Sequence, residues 1–296
     1  LKSIPPLVYA SVFLVACGGS PTEEEPSLYV CPSEGFDIKK IDKPAKVKTV
    51  ICNMTHFING DLSELTILEN LEDLTLSDDI TLERRLALSI NSGWFPKLQS
   101  LALDNVLIDT LSYSSTNQIK YLRLNNVVIN YFDVSALNNL ETLDITFTNI
   151  TNLDLSLNTE IKDLTIGWTE IEYFDLSNNS KLIKLSLIEN KTVQPNFELT
   201  NHPELKTVTY RNQSLEKLTI HLPKLETIWL DKNKLSKVDF SHSPELSQLS
   251  LSDNLISHIN LDANLKLNRV FLTENPLTDE TKRYLKTLNW IKELKY

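Results

Sequence analysis

One pattern, L-x-x-L-x-L, returns along this chain at a spacing that hardly varies. Apolar residues open it at Leu71, Leu98, Ile119, Leu140, Ile161, Leu182, Leu205, Leu225, Leu246 and Leu267, in steps of 27, 21, 21, 21, 21, 23, 20, 21 and 21 residues. A second apolar pair follows half a period later, as Phe132/Val134, Leu153/Leu155, Phe174/Leu176, Phe197/Leu199, Leu218/Ile220, Val238/Phe240 and Ile259/Leu261. Alternation at period two turns one set of side chains inward and the other outward. A single coil built this way has a thin apolar face that it cannot bury alone, so the coils must stack. The pattern therefore predicts a flattened, right-handed solenoid with two parallel ladders of short strands, each coil about 4.8 Å above the last.

Asparagines recur at the turns: Asn190, Asn233, Asn254 and Asn275 after the first segment, and Asn158, Asn179 and Asn264 after the second. Their amides both donate and accept, and so suit corner backbone groups that have no strand partner. In these features the sequence resembles the leucine-rich repeat family, specifically the short bacterial type with the unit LxxLxLxxNxLxxLxLxxN. Leu246 to Asn264 follows that unit nearly throughout, and the resemblance covers residues 65–277. It lapses at Val106, Val127, Thr148 and Thr169, where the asparagine is missing. The resemblance implies a protein partner, in adhesion, host contact or the cell envelope.

An open solenoid end exposes its core and needs a cover. Residues 27–64 read as an N-terminal cap. Residues 278–296 read as a capping helix, with Thr278 as N-cap and Tyr284, Leu285, Leu288, Ile291 and Leu294 at helical spacing.

The N-terminus reads as an address. Residues 1–16 hold Lys2 and a short apolar run, too short to span a bilayer and suited to a secretory signal. Leu14-Val15-Ala16-Cys17 resembles the lipobox of bacterial lipoproteins, which implies lipidation of Cys17 and cleavage before it. Residues 17–26 read as an acidic tether, and Gly18 after the cysteine implies the outer membrane, with Glu23 to Glu25 resembling a surface-export signal. The two other cysteines, Cys31 and Cys52, read as a disulfide in an exported protein; two separate buried thiols are the alternative.

Composition narrows the chemistry. With 29 Lys plus Arg against 39 Asp plus Glu, the net charge of −10 argues against nucleic acid as partner. Six glycines, scattered, leave no dinucleotide fingerprint, P-loop or nucleophile elbow. His56, His202, His221, His242 and His258 show no metal-ligand spacing, and no serine has a recognisable base. The expectation is a protein without enzymatic activity, cofactor or small-molecule substrate; a structural envelope scaffold is the alternative, and a carbohydrate-binding or hydrolytic protein a further one.

Outward residues of the first ladder form one column: Ala102, Arg123, Asp144, Thr165, Ser186, Thr209, Trp229, Ser250 and Phe271. Trp229 and Phe271 have no core duty there and suit an interface, with Arg123, Arg211 and Arg269 as polar companions. Phe147 and Trp168, one coil apart, are a second aromatic pair that either binds or shields the turns. The second ladder's column holds Asp133, Asp154 and Asp175, whose mutual repulsion raises their pKa values unless cations or donors intervene; calcium is one reading, hydrogen bonds from turn groups the other.

Overall fold

A computed structural model describes residues 27–296 apart from 33–35, 38, 40, 42, 58–60, 79–85, 91–93, 115 and 193. Residues 1–26, with the segments read as a signal and a tether and with Cys17, lie outside the described residues. The chain winds into a parallel β-solenoid, and its main ladder is a 13-stranded sheet that starts with Leu28–Val30 and Thr49–Asn53 and ends with Arg269–Phe271 and Glu293–Lys295. Neighbouring strands are in register at the repeat spacing, with Leu143 beside Leu164 and Leu164 beside Leu185. The L-x-x-L-x-L residues point inward: Leu140, Leu143 and Ile145 are wholly buried, as are Ile161, Leu164 and Ile166. They join one continuous core with the inward residues of the opposite face, such as Val134, Leu155 and Phe240.

That opposite face departs from the expected second ladder. Its apolar pairs are inward, but among the described residues strand pairing is confined to Leu86–Ile90, Leu107–Tyr113 and Val128–Tyr131, and to Asn196–Leu199 beside Lys217–Ile220. Elsewhere side chains replace the ladder. Asn149 bonds both the amide and the carbonyl of Ile129, and the Gln194 side chain accepts from the amide of Phe174 at 3.0 Å.

The corners work as the asparagines suggested. Asn254 donates to the carbonyls of Leu230 and Leu251 and accepts from the amide of Leu235. Asn264 donates to Phe240 and Ser243. Where asparagine is missing, Thr169 borrows from the next coil, its hydroxyl donating to Asn190 Oδ1 at 2.7 Å. Lys–Glu pairs a coil apart line the flanks, among them Lys162–Glu141 and Lys191–Glu170; exposed pairs of this kind contribute about 0–1 kcal/mol each and chiefly hold register.

Both ends extend the sheet. The segment read as an N-terminal cap already supplies the first two rungs, and its Cys31–Cys52 disulfide joins them, with Cα atoms 4.9 Å apart. The C-terminal helix is shorter than expected. Thr278 caps it, accepting from the amide of Thr281, but it spans only Asp279–Leu285. Leu294 belongs instead to a final rung beside Val270. The reason is that Ile291-x-x-Leu294-x-Tyr296 is itself the repeat pattern, and its apolar residues at i and i+3 suit a helix face equally well. No helix among the described residues is long and apolar enough to cross a membrane.

Candidate functional site

The outward column exists as an in-register row: Ala102, Arg123, Asp144, Thr165, Ser186, Thr209, Trp229, Ser250 and Phe271 pair successively. It continues to Lys295 at one end and through Thr75 and Ile51 to Val30 at the other. Ile228 and Leu230 are wholly buried while Trp229 between them is 41% exposed, so the tryptophan stands on the outer face because of strand alternation alone.

The column is not uniform. Arg123 is held between Asp104 and Asp144, with nitrogen–oxygen distances of 3.5 and 3.9 Å. Burial raises the Asp144 carboxyl above its ordinary range, and the Arg123 guanidinium partly opposes that shift. Arg123 thus serves the face internally. Around Trp229 the floor is made of small residues, Thr209 and Ser250, both buried. Asp231 anchors this region: its carboxylate pairs with Arg211 Nε at 3.1 Å, accepts the Ser250 hydroxyl, and accepts the amide of Ser252 at 3.1 Å. Phe271 is half-buried, and the Lys295 ammonium lies 5.2 Å from its ring centroid. Arg269 Nε faces Glu293 at 3.5 Å. The structure therefore gathers Trp229, Phe271, Arg211 and Arg269 on one stretch of the sheet and leaves Arg123 on another. Asp231 and Lys295 were missed by sequence reasoning; the repeat frame at Ile291 could have found Lys295.

Phe147 and Trp168 form a stack with centroids 4.6 Å apart and planes 8° from parallel, and the Trp168 indole donates to Glu189 at 3.2 Å. They remain 50% and 40% exposed. Both have left-handed backbones, φ 54° and 53°, at a corner where Asn105, Asn126, Asn212 and Asp253 also have positive φ. Asn and Asp enter that region readily, bulky aromatics rarely.

On the opposite face the carboxylates of the acidic column are stabilised locally by hydrogen bonds. Asp133, Asp154 and Asp175 each accept the backbone amide two residues ahead, from Ser135, Ser156 and Ser177. The Ser156 hydroxyl and amide hold the Asp154 carboxyl below its usual range, and the Ser177 amide and hydroxyl do the same for Asp175. The expected rise is thus reversed at these two, because donors sit beside each carboxylate. No group of three or more His, Cys, Asp or Glu among the described residues is arranged to hold a metal ion. Asp175 and Glu198 also line a cleft on this face.

No protein-family model matches the chain, and no curated protein matches it. Solved structures do. An internalin (inlF) from Listeria monocytogenes superposes with a TM-score of 0.57 at 18% identity, covering 85% of this chain and 81% of its own. The functional domain of InlJ, also from Listeria monocytogenes, gives 0.53 at 22%, covering 80% and 65%. A chain of the LRIM1/APL1C complex gives 0.59 at 18%, covering 82% of this chain and 50% of that one. Together with the geometry above, these likenesses place the fold among leucine-rich repeat solenoids.

Proposed function

We propose that this chain is a non-catalytic interaction scaffold that binds another protein through the outer face of its main sheet, centred on Trp229. The observation that carries the reading is Trp229 itself, a large aromatic kept in solvent on a rigid sheet between two wholly buried neighbours. Exposed aromatics on a pre-ordered surface lose little entropy on binding and dominate interface energies. A leucine-rich repeat neighbour assembles in the LRIM1/APL1C complex, which agrees with the reading. The lipobox-like Leu14-Val15-Ala16-Cys17 supports the companion proposal of a lipid anchor at the bacterial outer membrane, facing the cell surface.

The test is capture from envelope and host-cell extracts with the purified protein. A specific partner should be retained by the wild type and lost from the double variant W229A/F271A, with an unchanged melting temperature. Equal capture by both rejects this face. Loss of the protein from intact cells treated with external protease checks the surface location, and full protection rejects it.

A further inference from the structure

Charge along the outer face of the sheet is lopsided. Among the described residues at outward strand positions, its early rungs present Asp73, Asp104, Asp144 and Asp163 against Arg123 and Lys184, the latter paired with Asp163 at 3.5 Å. Its later rungs present Arg211, Arg269 and Lys295 against Asp231 and Glu293. In a chain of net charge −10, this cationic excess coincides with Trp229 and Phe271.

The two aromatics also frame a slot. Trp229 and Phe271 are the register partners on either side of Ser250, two strand spacings or about 9.6 Å apart. A guest side chain touching both walls needs about 4 Å on each side, so the slot admits one side chain and not two. Ser250 forms the floor, 8% exposed, its hydroxyl turned to Asp231. Lys295 is the register partner of Phe271 on the side away from Ser250, and its ammonium lies 5.2 Å from the ring centroid. Arg211 and Arg269 face their carboxylate partners through Nε, while 45% and 56% of these side chains stay in solvent. A guanidinium fixed along one edge presents its other edge ready for a carboxylate.

We infer that the partner offers an extended acidic polypeptide segment: one apolar side chain enters between Trp229 and Phe271, and carboxylates on either side of it meet Arg211 and Arg269. This rests on the interaction function proposed above and adds the partner's chemistry. A long polyanion such as nucleic acid fits worse, because its path along the sheet runs onto Asp163, Asp144 and Asp104.

The experiment is selection of displayed random peptides on the folded protein, followed by affinity measurement with the enriched sequences made synthetically. Enriched peptides should carry acidic residues flanking an apolar one. Their affinity should fall at least tenfold in W229A/F271A and in R211E/R269E, and several-fold on raising salt from 50 to 300 mM. Removing Arg211 strips Asp231 of its ion partner, so R269E alone, which leaves that pair intact, repeats the charge test. Neutral or basic enriched peptides overturn the inference, as does affinity unchanged in the arginine variants but lost in W229A/F271A; the latter leaves the aromatic interface standing. Binders indifferent to every variant, or no enrichment, overturn the slot as the binding site.

Discussion

His202 Nε2 lies 3.0 Å from the carbonyl oxygen of Leu176, in the corner place that Asn158, Asn179 and Asn264 take on other coils. A ring nitrogen here does the work of an asparagine amide. The ring is buried, and burial holds its pKa below the ordinary 6.5 despite the bond to Leu176. In the unfolded chain the same histidine titrates near 6.5. Below that pH the unfolded state therefore binds more protons, and stability falls by up to about 1.4 kcal/mol per pH unit until the folded-state pKa is reached. Above 6.5 the group contributes no pH dependence. The urea midpoint should drop between pH 7.5 and 5.5, and His202→Asn, which keeps a donor for Leu176, should drop less. Equal drops would refute the assignment.

Asn264 is completely buried and donates to two carbonyls, those of Phe240 and Ser243. Asn264→Ala removes one bond from each carbonyl but leaves each its backbone donor, the amides of Ser243 and Leu246, so each lost bond costs about 0.5–1.5 kcal/mol. Chemical denaturation should show a loss of about 1–3 kcal/mol. A change below 1 kcal/mol means that the corner does not depend on this side chain.

Phe147 and Trp168 hold left-handed backbones that cost a non-glycine residue about 1–3 kcal/mol each. Their stack returns about 0.5–1.5 kcal/mol. Phe147→Asn, matching Asn105 and Asn126, should leave stability unchanged or raise it by up to about 1 kcal/mol, whereas Phe147→Val should lower it. Melting curves of the two variants decide. If Asn proves the more damaging, the aromatic ring has a structural duty that outweighs the strain.

The Cys31–Cys52 disulfide closes a loop with a sequence separation of 21. On the chain-entropy account it contributes about 3 kcal/mol. Unfolding in reducing buffer should show a loss of that order, and the double variant C31A/C52A should not respond to reductant. A wild type equally stable under both conditions would count against the disulfide as a stabiliser.

Much of this architecture was legible because burial obeys the leucine spacing: the frame that puts Leu143 and Ile145 inside also puts Asp144 outside. The same frame was present, unread, at Val47-x-x-Val50-x-Cys52 and at Ile291-x-x-Leu294-x-Tyr296. Irregular spacing hid the first, and a helix-like interval hid the second. The opposite face read as a strand ladder because its apolar pairs alternate, but alternation fixes which side chains turn inward and not whether neighbouring backbones bond. The site was half legible. Trp229 and Phe271 followed from register, while the pinning of Arg123 by Asp104 and Asp144, and the clamp of Asp231 on Arg211, depend on side-chain torsions that no spacing encodes.

The stapling of the first rung to the second has a mechanical consequence. In a stacked sheet, tension entering from the N-terminal side peels strands one at a time, breaking a few hydrogen bonds per step. Leu28–Val30 precede Cys31 and lift first, and the pull then passes through the Cys31–Cys52 link, bypassing the loop between the two cysteines and with it the start of Thr49–Asn53. A pull on that end would thus run through a sulfur–sulfur bond once the first strand had lifted, and the chain between the two cysteines would carry none of it.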